Sequence, residues 1–325
     1  MSDLESPSTP RDVVVLGAGI IGLTSAVALA EAGHQVTLWT ADDPADTTSA
    51  RSAGVWSPIP QAPLDTTIAW ASRTMRAFCD LSGRPGSGVS MLEGLTLDAT
   101  DLGDLLPALS RLSPDLRPAT PDELPEGFAH GRRYRVPVVD MEHYVPWMLD
   151  RLEAQGGKVR LQRVDSLDEA LAMAPVVVNA TGLAARDLAG DPTVRPLFCQ
   201  YVVTDNPGLD RVLVDASRGG QWVSVIPHHD RVHLGGARVG GRTDPRPDRE
   251  LASDVLRWCR EIEPRLRNAR TIRVDTGLLP TRPTMRVEAE ARRDGLVVHA
   301  YGHATGGITV SWGAAADVVR LVAAG

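Results

Sequence analysis

The stretch that decides the fold reads DVVVLGAGIIGLTSAVALAEAGHQVTLW and occupies residues 12–39. Its first five residues, 12–16, are a nearly continuous apolar run, which is typical of a buried parallel strand. Residues 23–32 have helical apolar spacing and end at Gly33, a residue type that favours the end of a helix. Residues 36–39 predict a second strand. A strand, a glycine-rich turn, a helix and a second strand within about thirty residues form a βαβ unit, and in that context a GxGxxG motif indicates dinucleotide binding.

The three glycines of this motif have separate roles. Gly17 permits the tight turn, Gly19 lets the backbone approach a pyrophosphate, and Gly22 lets the helix pack against the strand. The N-terminus of the helix then offers N–H groups and a partial positive charge to the phosphates. The acid expected at the end of the second strand comes one or two places late, as Asp42 or Asp43. We take Asp42 as the candidate ribose contact, and a solvated turn aspartate is the alternative.

The rest of the chain predicts helices and two kinds of strand. Helical spacing indicates helices at residues 64–81, 141–155 (with Asp140 as N-cap), 166–173, 248–262, and from the glycine-rich turn at 302–307 through 322. Apolar runs indicate strands at residues 159–164, 176–179, 274–279 and 296–299. Alternating runs at residues 199–204, 222–226 and 232–235, with a hairpin turn at 228–231, indicate antiparallel strands. Glycines and prolines interrupt residues 83–137, where we assign no element.

This order predicts an α/β fold combined with antiparallel β structure. A Rossmann-like dinucleotide-binding domain is built from discontinuous segments, residues 1–60, 138–195 and 285–325. An antiparallel-sheet substrate domain, residues 61–137 and 196–284, is inserted between these segments.

Composition excludes several classes of partner. The chain has 34 basic and 41 acidic residues and a net charge of −7. Nucleic acids and anionic membranes require a clustered positive face, so neither is an expected partner. A few local arginines can still bind a small anion. Only seven tryptophans, four tyrosines and three phenylalanines occur, so a site that needs aromatic side chains has few to draw on.

The cysteines and the N-terminus indicate a soluble cytoplasmic protein, and neither the cysteines nor the histidines indicate a metal site. The three cysteines are widely spaced and contain no CxxC pair, so we predict neither a disulfide framework nor a zinc site. His228, His229 and His233 fall on the predicted hairpin without matching carboxylates, and we expect exposed turn residues rather than metal ligands. Residues 1–10 are polar and acidic and show no signal-peptide pattern.

Two further segments favour a flavin over a nicotinamide. VVVNATG at 176–182 is a buried strand that leads into a small turn, and YGHATGGITVSWG at 301–313 is a glycine-rich turn that opens the last helix. A late turn of this kind suits an isoalloxazine ring, because helix-end amides can meet the ring carbonyls. Together with VVVLGAGIIGL at 13–23, AGVWSP at 53–58 and GLLPTRPTMRVE at 277–288, these segments resemble the D-amino-acid oxidase family of FAD enzymes, which includes D-aspartate oxidase.

The resemblance follows the family's order over nearly the whole chain and is weakest at residues 83–137. It implies that the Rossmann-like domain binds FAD. The cofactor-binding residues that it implies, together with Asp42, are Gly17, Ala18, Gly19, Ile20, Ile21, Gly22, Thr48, Ser49, Ala53, Gly54, Val55, Val164, Thr181, Ala304, Thr305, Gly306, Gly307, Ile308 and Thr309.

The resemblance also implies an activity. In this family the α-hydrogen of a D-amino acid leaves as hydride to flavin N5, and O₂ reoxidises the flavin to give hydrogen peroxide. The imino acid then hydrolyses to a 2-oxo acid and ammonia. No residue is required as acid or base, so catalysis depends on positioning. Arg286 falls on the arginine that binds the α-carboxylate in a bidentate manner, and the backbone carbonyl of Thr305 receives the amine. Ser57, Ser224 and Arg238 complete the predicted substrate site.

The sequence departs from the family at this site. Ser224 replaces the tyrosine that precedes Ile-Pro, and Gly220 stands near the place of a second aromatic residue. Arg238 occupies a position that D-aspartate oxidases fill with arginine, and Arg218 lies near a second arginine of that subgroup. A D-amino-acid oxidase is therefore the leading hypothesis and a D-aspartate oxidase the first alternative. A glycine or sarcosine oxidase, a flavin-binding protein without catalysis and an NAD-dependent dehydrogenase follow. The expected partners are a D-amino acid and O₂, and a homodimer is one option for assembly.

Overall fold

A computed structural model describes residues 9–57, 61–98, 100, 113, 115–218 and 223–325. Its strands are β1 (Asp12–Leu16), β2 (Gln35–Thr40), β3 (Val89–Asp98), β4 (Arg117–Pro118), β5 (His130–Val139), β6 (Lys158–Leu161), β7 (Val176–Asn179), β8 (Arg195–Asp205), β9 (Arg211–Asp215), β10 (Val223–Pro227), β11 (Arg231–Gly240), β12 (Thr271–Arg292) and β13 (Gly295–His303). Its α-helices are α1 (Ile20–Glu31), α2 (Leu64–Ser82), α3 (Met141–Ala154), α4 (Leu167–Leu171), α5 (Ala185–Leu188), α6 (Arg249–Ile262) and α7 (Gly307–Ala324).

In the part of the chain that the structure describes, the strands form one continuous sheet. Their order is β4-β5-β3-β9-β10-β11-β8-β12-β13-β7-β1-β2-β6. Strands β13, β7, β1, β2 and β6 pair in parallel. Neighbouring strands pair antiparallel across the part of the sheet ordered β9-β10-β11-β8-β12-β13, and β3 pairs antiparallel with β5. Between these two parts, β3 and β9 pair in parallel. The predicted combination of a Rossmann-like layer with an antiparallel sheet is confirmed.

Four helices share the core of the parallel layer. Trp70 of α2, Tyr144 of α3 and Val310 of α7 are all buried in the same apolar cluster as α1. The approach of α7 to α2 is close, because a Cβ added at Gly313 would lie 2.3 Å from the Cα of Trp70. Helix α7 is apolar and long enough to cross a membrane by length and composition, but half of that segment is buried inside the protein, as in a core helix.

The long strand β12 connects the two kinds of sheet. Its first part, residues 271–281, pairs with β8, and residues 286–292 pair with β13. The register with β13 shifts between Thr281 and Arg286, so the strand changes its course there. The predicted domain bounds remain a prediction, and α2, which they assign to the substrate domain, packs against α7.

Two expectations differ from the structure. Residues 83–137, left unassigned above, contain β3, β4 and most of β5, whose pairing depends on partners distant in sequence. The turn at 228–231 closes a hairpin as predicted, since Pro227 pairs with Val232. However, His228 and His233 are buried, with 8% and 3% of their surface exposed, and only His229 of the three histidines is exposed. Gly220, which stands near the place of the second aromatic residue, and position 222, where the predicted strand 222–226 begins, lie outside the described residues.

Candidate active site

The turn between β1 and α1 has no room for side chains at two of its glycines. Gly17 adopts φ +99°, and a Cβ there would lie 2.6 Å from the carbonyl oxygen of Ala180 at the end of β7. A Cβ at Gly22 would lie 1.8 Å from the carbonyl oxygen of Gly17. The tight turn and the close helix therefore require glycine at both positions.

Gly19 is different, because nothing in the protein requires a glycine there. Its φ of −65° and ψ of 172° suit any residue, and an added Cβ would make an ordinary 3.4 Å contact with Ser49 Oγ. A glycine beside a helix N-terminus leaves the backbone accessible to a bound pyrophosphate. This combination of two glycines that packing requires and one that it does not require fits a dinucleotide.

Two helix N-termini meet beside this turn. Helix α1 begins at Ile20, whose N–H donates to Ser49 Oγ at 2.9 Å, and α7 begins at Gly307. A Cβ at Gly307 would lie 3.3 Å from Cγ2 of Ile20, so the two ends are in contact. Neither helix has a side-chain cap or an acidic residue in its first turn. Their partial positive charges therefore point to one region, which favours a group with negative charge or carbonyl oxygens.

The residues predicted to contact the adenosine lie at the carboxyl ends of β2 and β6. The carboxylate of Asp43 accepts the N–H of Ala45 at 2.8 Å and caps a short turn. Asp42 has an exposed side chain, and its carbonyl accepts the Thr40 hydroxyl at 2.7 Å. Val164 is half-buried and packs against the cluster that contains Trp39. Of the two acids, the position therefore suits Asp42 for a ribose contact.

The loop at residues 53–57 is fixed between β5 and α7. The N–H of Val139 donates to the carbonyl of Gly54 at 2.7 Å, and Gly54 has φ +66° with its Cα pressed against Val139. Thr309 of α7 binds both the N–H and the carbonyl of Ser57 through its hydroxyl, at 3.0 and 2.8 Å. The hydroxyl of Thr309 thus positions this loop.

Two other turns surround the same region. Thr181 donates its N–H and its hydroxyl to Oδ1 of the buried Asn179. Ala304 has φ +46°, a left-handed conformation that residues other than glycine seldom adopt and that often marks a functional turn. The next residue, Thr305, faces the cavity described below.

A cavity lies where these loops meet the antiparallel sheet. On the loop side it is lined by Thr48, Arg51, Ser52, Ala53, Gly54, Val55, Trp56, Ser57, Thr305 and Ile308. On the sheet side it is lined by Tyr134, Cys199, Tyr201, Val212, Val214, Ser224, Ile226, Gly236, Arg238, Thr276, Gly277 and Leu279. The predicted substrate residues Ser57, Ser224, Arg238 and Thr305 are thus brought together.

Arg286 does not join them. It lies on β12 opposite Tyr301, and its guanidinium binds Glu288 at 2.6 Å and the hydroxyl of Tyr301. Tyr301 in turn donates to Asp191 at 3.0 Å. The cavity is instead reached by an earlier part of β12, through Leu279 and its neighbours. Arg286 is thus not among the described lining residues of the cavity, and its charge is paired with Glu288 and the Tyr301 hydroxyl; its role in binding the carboxylate stays a prediction.

Arg218 is also engaged elsewhere. It binds the buried Asp215 at 2.6 Å and Glu261 at 2.8 Å, and it does not line the cavity. Several cavity residues are not predicted from the sequence, among them Cys199 and Tyr201, although their i, i+2 spacing on a predicted strand places them on one face of the sheet.

The cavity favours an anionic ligand. Two of its described lining residues are arginines, Arg51 and Arg238, and none of the described lining residues is an aspartate or glutamate. Burial raises the pKa of Cys199 to about 11 and that of Tyr201 to about 12, so both side chains keep their protons at neutral pH. The net charge of the described lining is therefore positive.

The fold, the glycine turn and the two adjacent helix N-termini together define a flavin-dependent oxidoreductase. The family model for FAD dependent oxidoreductases (DAO) matches residues 12–321, and the chain belongs to this family. Its cofactor is FAD, and the glycine turn, the paired helix ends and the loop at 53–57 fit that group.

The chain is similar over nearly its full length to several named oxidases. The chain is 41% identical to a D-amino-acid oxidase of Streptomyces coelicolor, covering 95% of this chain and 96% of that one. It is 38% identical to a D-amino-acid oxidase of Rubrobacter xylanophilus, with 96% and 95% coverage. It is 31% identical to the human D-aspartate oxidase, with 95% and 94% coverage. Among solved structures, the glycine oxidase of Geobacillus kaustophilus matches with a TM-score of 0.78 at 18% identity, covering 96% of this chain and 95% of that chain, which supports the fold.

Proposed function

We propose that the protein is an FAD-dependent D-amino-acid oxidase. The observation that carries the proposal is the cavity between the cofactor loops and the antiparallel sheet, which has two arginines and no acid among its described lining residues. The D-amino-acid oxidases to which the chain is 41% and 38% identical support the same activity. Bound FAD would supply the redox chemistry, a two-electron oxidation of the substrate with O₂ as the final acceptor and hydrogen peroxide as its product; water would then hydrolyse the imino acid to a 2-oxo acid and ammonia.

The protein contributes binding and orientation. A guanidinium binds the substrate carboxylate through charge-assisted hydrogen bonds; the resemblance assigns this role to Arg286, and Arg238, which lines the cavity, is a second candidate. The turn at Thr305 lies at the N-terminal end of α7, where its backbone carbonyl can accept the amine. Val55 and Ile226 face the cavity from opposite sides and exclude water from the reacting carbon. Fixing carboxylate and amine directs the Cα–H bond at one point, which is catalysis by positioning.

The test is a substrate panel read by peroxide release. The FAD-loaded protein is assayed with D-Ala, D-Met, D-Phe and D-Asp, and the L-enantiomers and sarcosine are the controls. We expect peroxide with D-amino acids and none with their L-enantiomers. Turnover of sarcosine or glycine with none of the D-amino acids would show a glycine or sarcosine oxidase instead.

A D-aspartate oxidase is the second candidate, and the two cavity arginines favour it. An acidic substrate has two carboxylates, and two arginines line the cavity, Arg238 on the sheet side and Arg51, which also pairs with Asp46 at 2.7 Å, on the loop side. Turnover of D-Asp well above that of D-Ala would select this candidate. The cytoplasmic location and the homodimer expected from the sequence remain predictions.

A further inference from the structure

The pairing of β12 with β13 is interrupted directly before the glycine-rich turn that precedes α7. Thr281 is the register partner of His303. The next pair is Arg286 with Tyr301, so several residues of β12 lie opposite one residue of β13, Gly302. A bulge of this kind disrupts the ladder, and the backbone groups beside it need partners from elsewhere in the chain.

The segment before α2 supplies partners at this bulge. The side chain of Gln61 donates from Nε2 to the carbonyl of Gly302 at 3.3 Å, and the carbonyl of Ala62 accepts the N–H of Met285 at 3.0 Å. One hydrogen bond thus reaches each of the two strands. Gln61 is itself held in place, because the hydroxyl of the buried Thr67 donates to its backbone carbonyl at 2.8 Å. The segment therefore connects β12 and β13 where their own ladder is broken.

The amide of Gln61 also spans the turn. It donates to Gly302 at the first end, and its Oε1 faces the other end, where a Cβ added at Gly306 would lie 3.5 Å from Oε1 and 3.1 Å from Cε of Met285. Between these ends lies Ala304, with φ +46°. A left-handed conformation is unfavourable for alanine and persists only where the surroundings impose it. The contacts of Gln61 at both ends of the turn are suited to impose it.

The titratable groups beside the turn are neutral or paired. The ring of the buried His303 packs against Trp70 of α2 with centroids 6.4 Å apart. Burial lowers the pKa of His303 to about 4, so its ring is uncharged at neutral pH. Arg282 borders Gly302 from β12, and its guanidinium binds Asp191 at 2.8 Å. An uncharged amide is therefore a suitable partner for this turn.

The turn carries groups that both the cofactor and the substrate need. Residues 304–309 are cofactor contacts by the family resemblance, and Thr305 lines the cavity, where its backbone carbonyl is expected to receive the amine. We propose that Gln61 is a positioning residue, whose amide holds residues 302–306 in the conformation that FAD and the substrate amine require. The inference rests on the proposed function for the amine, and on FAD binding alone for the cofactor.

The first test compares Gln61→Met with the matched control Gln35→Met. Methionine keeps the length of the side chain but removes both polar ends of the amide, and Gln35 is exposed at the start of β2. Melting temperatures check that each variant folds, and fluorescence titration measures FAD affinity. Gln61→Met should weaken FAD binding roughly 3- to 10-fold, as expected for one lost neutral hydrogen bond, and should shift the visible flavin bands. Gln35→Met should change FAD affinity less than about twofold.

The second test measures anaerobic flavin reduction by D-alanine. Gln61→Met should lower the rate constant of reduction roughly 10- to 100-fold and change KM less, because a displaced turn misdirects the bound substrate more than it weakens its binding. A lowered melting temperature with FAD affinity, flavin bands and reduction rate all unchanged would overturn the proposal, since Gln61 would then contribute only to stability.

The variant Gln61→Glu tests the donor role within one folded protein, and it decides the question if Gln61→Met does not fold. A protonated carboxyl group can donate to the carbonyl of Gly302, whereas an ionised one cannot. Relative to the unmodified protein at each pH, Gln61→Glu should bind FAD weakly and be reduced slowly at about pH 8. Both properties should recover as the pH falls toward about 5, where His303 is still largely uncharged. A defect that does not depend on pH would overturn the donor role.

FAD affinity separates this inference from the proposed function. Weaker FAD binding by Gln61→Met, with recovery by Gln61→Glu at low pH, in a protein that oxidises no D-amino acid would refute the oxidase and retain the role of Gln61 at the turn. Unchanged FAD affinity and flavin reduction in both variants of an active oxidase would refute the role of Gln61 alone.

Discussion

Replacing Gly19 or Gly22 by alanine should separate cofactor binding from folding. Both glycines belong to the turn before α1, but their surroundings differ. A Cβ at Gly22 would lie 1.8 Å from the carbonyl oxygen of Gly17, whereas a Cβ at Gly19 would meet only Ser49 Oγ at 3.4 Å. Gly22→Ala should therefore strain the apoprotein, and Gly19→Ala should strain only the complex with FAD.

The magnitudes follow from these contacts. Overpacking of a close contact costs about 1–3 kcal/mol, and the better helix propensity of alanine returns at most about 1 kcal/mol at Gly22. A net loss of about 1–2 kcal/mol lowers the melting temperature of the apoprotein by roughly 3–6 °C. At Gly19 the apoprotein should stay within about 1 kcal/mol, because its backbone angles suit alanine. The added methyl group occupies the path of the pyrophosphate and should weaken FAD binding roughly 10- to 100-fold.

The assay measures thermal unfolding of the FAD-free proteins and FAD affinity by fluorescence titration. A Gly19→Ala protein with unchanged FAD affinity would refute the assignment of this turn to the pyrophosphate. A Gly22→Ala apoprotein as stable as the unmodified one would refute the packing argument.

Three other predictions concern the surroundings of the site. Asp140→Asn should cost about 1–2 kcal/mol at pH 7, because Arg231, only 4% exposed, loses one of its three carboxylate partners and keeps Asp230 and Glu142, while the asparagine still caps α3. Burial raises the pKa of Asp140, but the charge of Arg231 outweighs burial, so the pKa is lowered. The stabilisation by this carboxylate is therefore present above its unfolded pKa and is lost as pH falls through its folded pKa. Acid unfolding of Asp140→Asn should lack this pH-dependent loss of stability. Arg286→Gln should raise KM for every D-amino acid, because the resemblance assigns the α-carboxylate to this arginine; an unchanged KM with a lowered melting temperature would show that Arg286 serves only its network with Glu288 and Tyr301. Maleimide labelling of the native protein should modify the exposed Cys79 first, because Cys199 is buried with a raised pKa; prompt labelling of Cys199 would show that the cavity wall opens.

The cofactor half of the fold could be predicted from local sequence. The βαβ unit, the glycine turn and the N-cap at Asp140 depend on residues adjacent in the chain, and the structure has them in place. Their physics is local, because a turn or a cap is decided by a few neighbouring backbone groups.

The substrate half depends on the pairing of distant strands. Tyr201, Ser224 and Arg238 come from β8, β10 and β11, and only the register of those strands shows that they face one cavity. The same limitation applies to Arg286. Its predicted contact with the substrate depends on which face of β12 it occupies, and the register shift after Thr281 is not visible in the sequence.

The burial of His233 could not be predicted from the sequence. A polar residue beside a hairpin turn is usually exposed, but here its strand lies inside the sheet and its ring packs on Tyr201. The sequence pattern predicts the strand that carries His233. The residue that packs against the His233 ring is determined only when the strands of the sheet pair.

Anaerobic mixing of the FAD-loaded protein with D-alanine and with L-alanine tests the central claim most directly. The flavin absorbance reports the electron transfer itself and requires no second enzyme. We predict that D-alanine bleaches the flavin, that L-alanine does not, and that admission of O₂ restores the colour with release of peroxide. A flavin that stays oxidised with D-alanine and with every other member of the D-amino-acid panel would contradict the account.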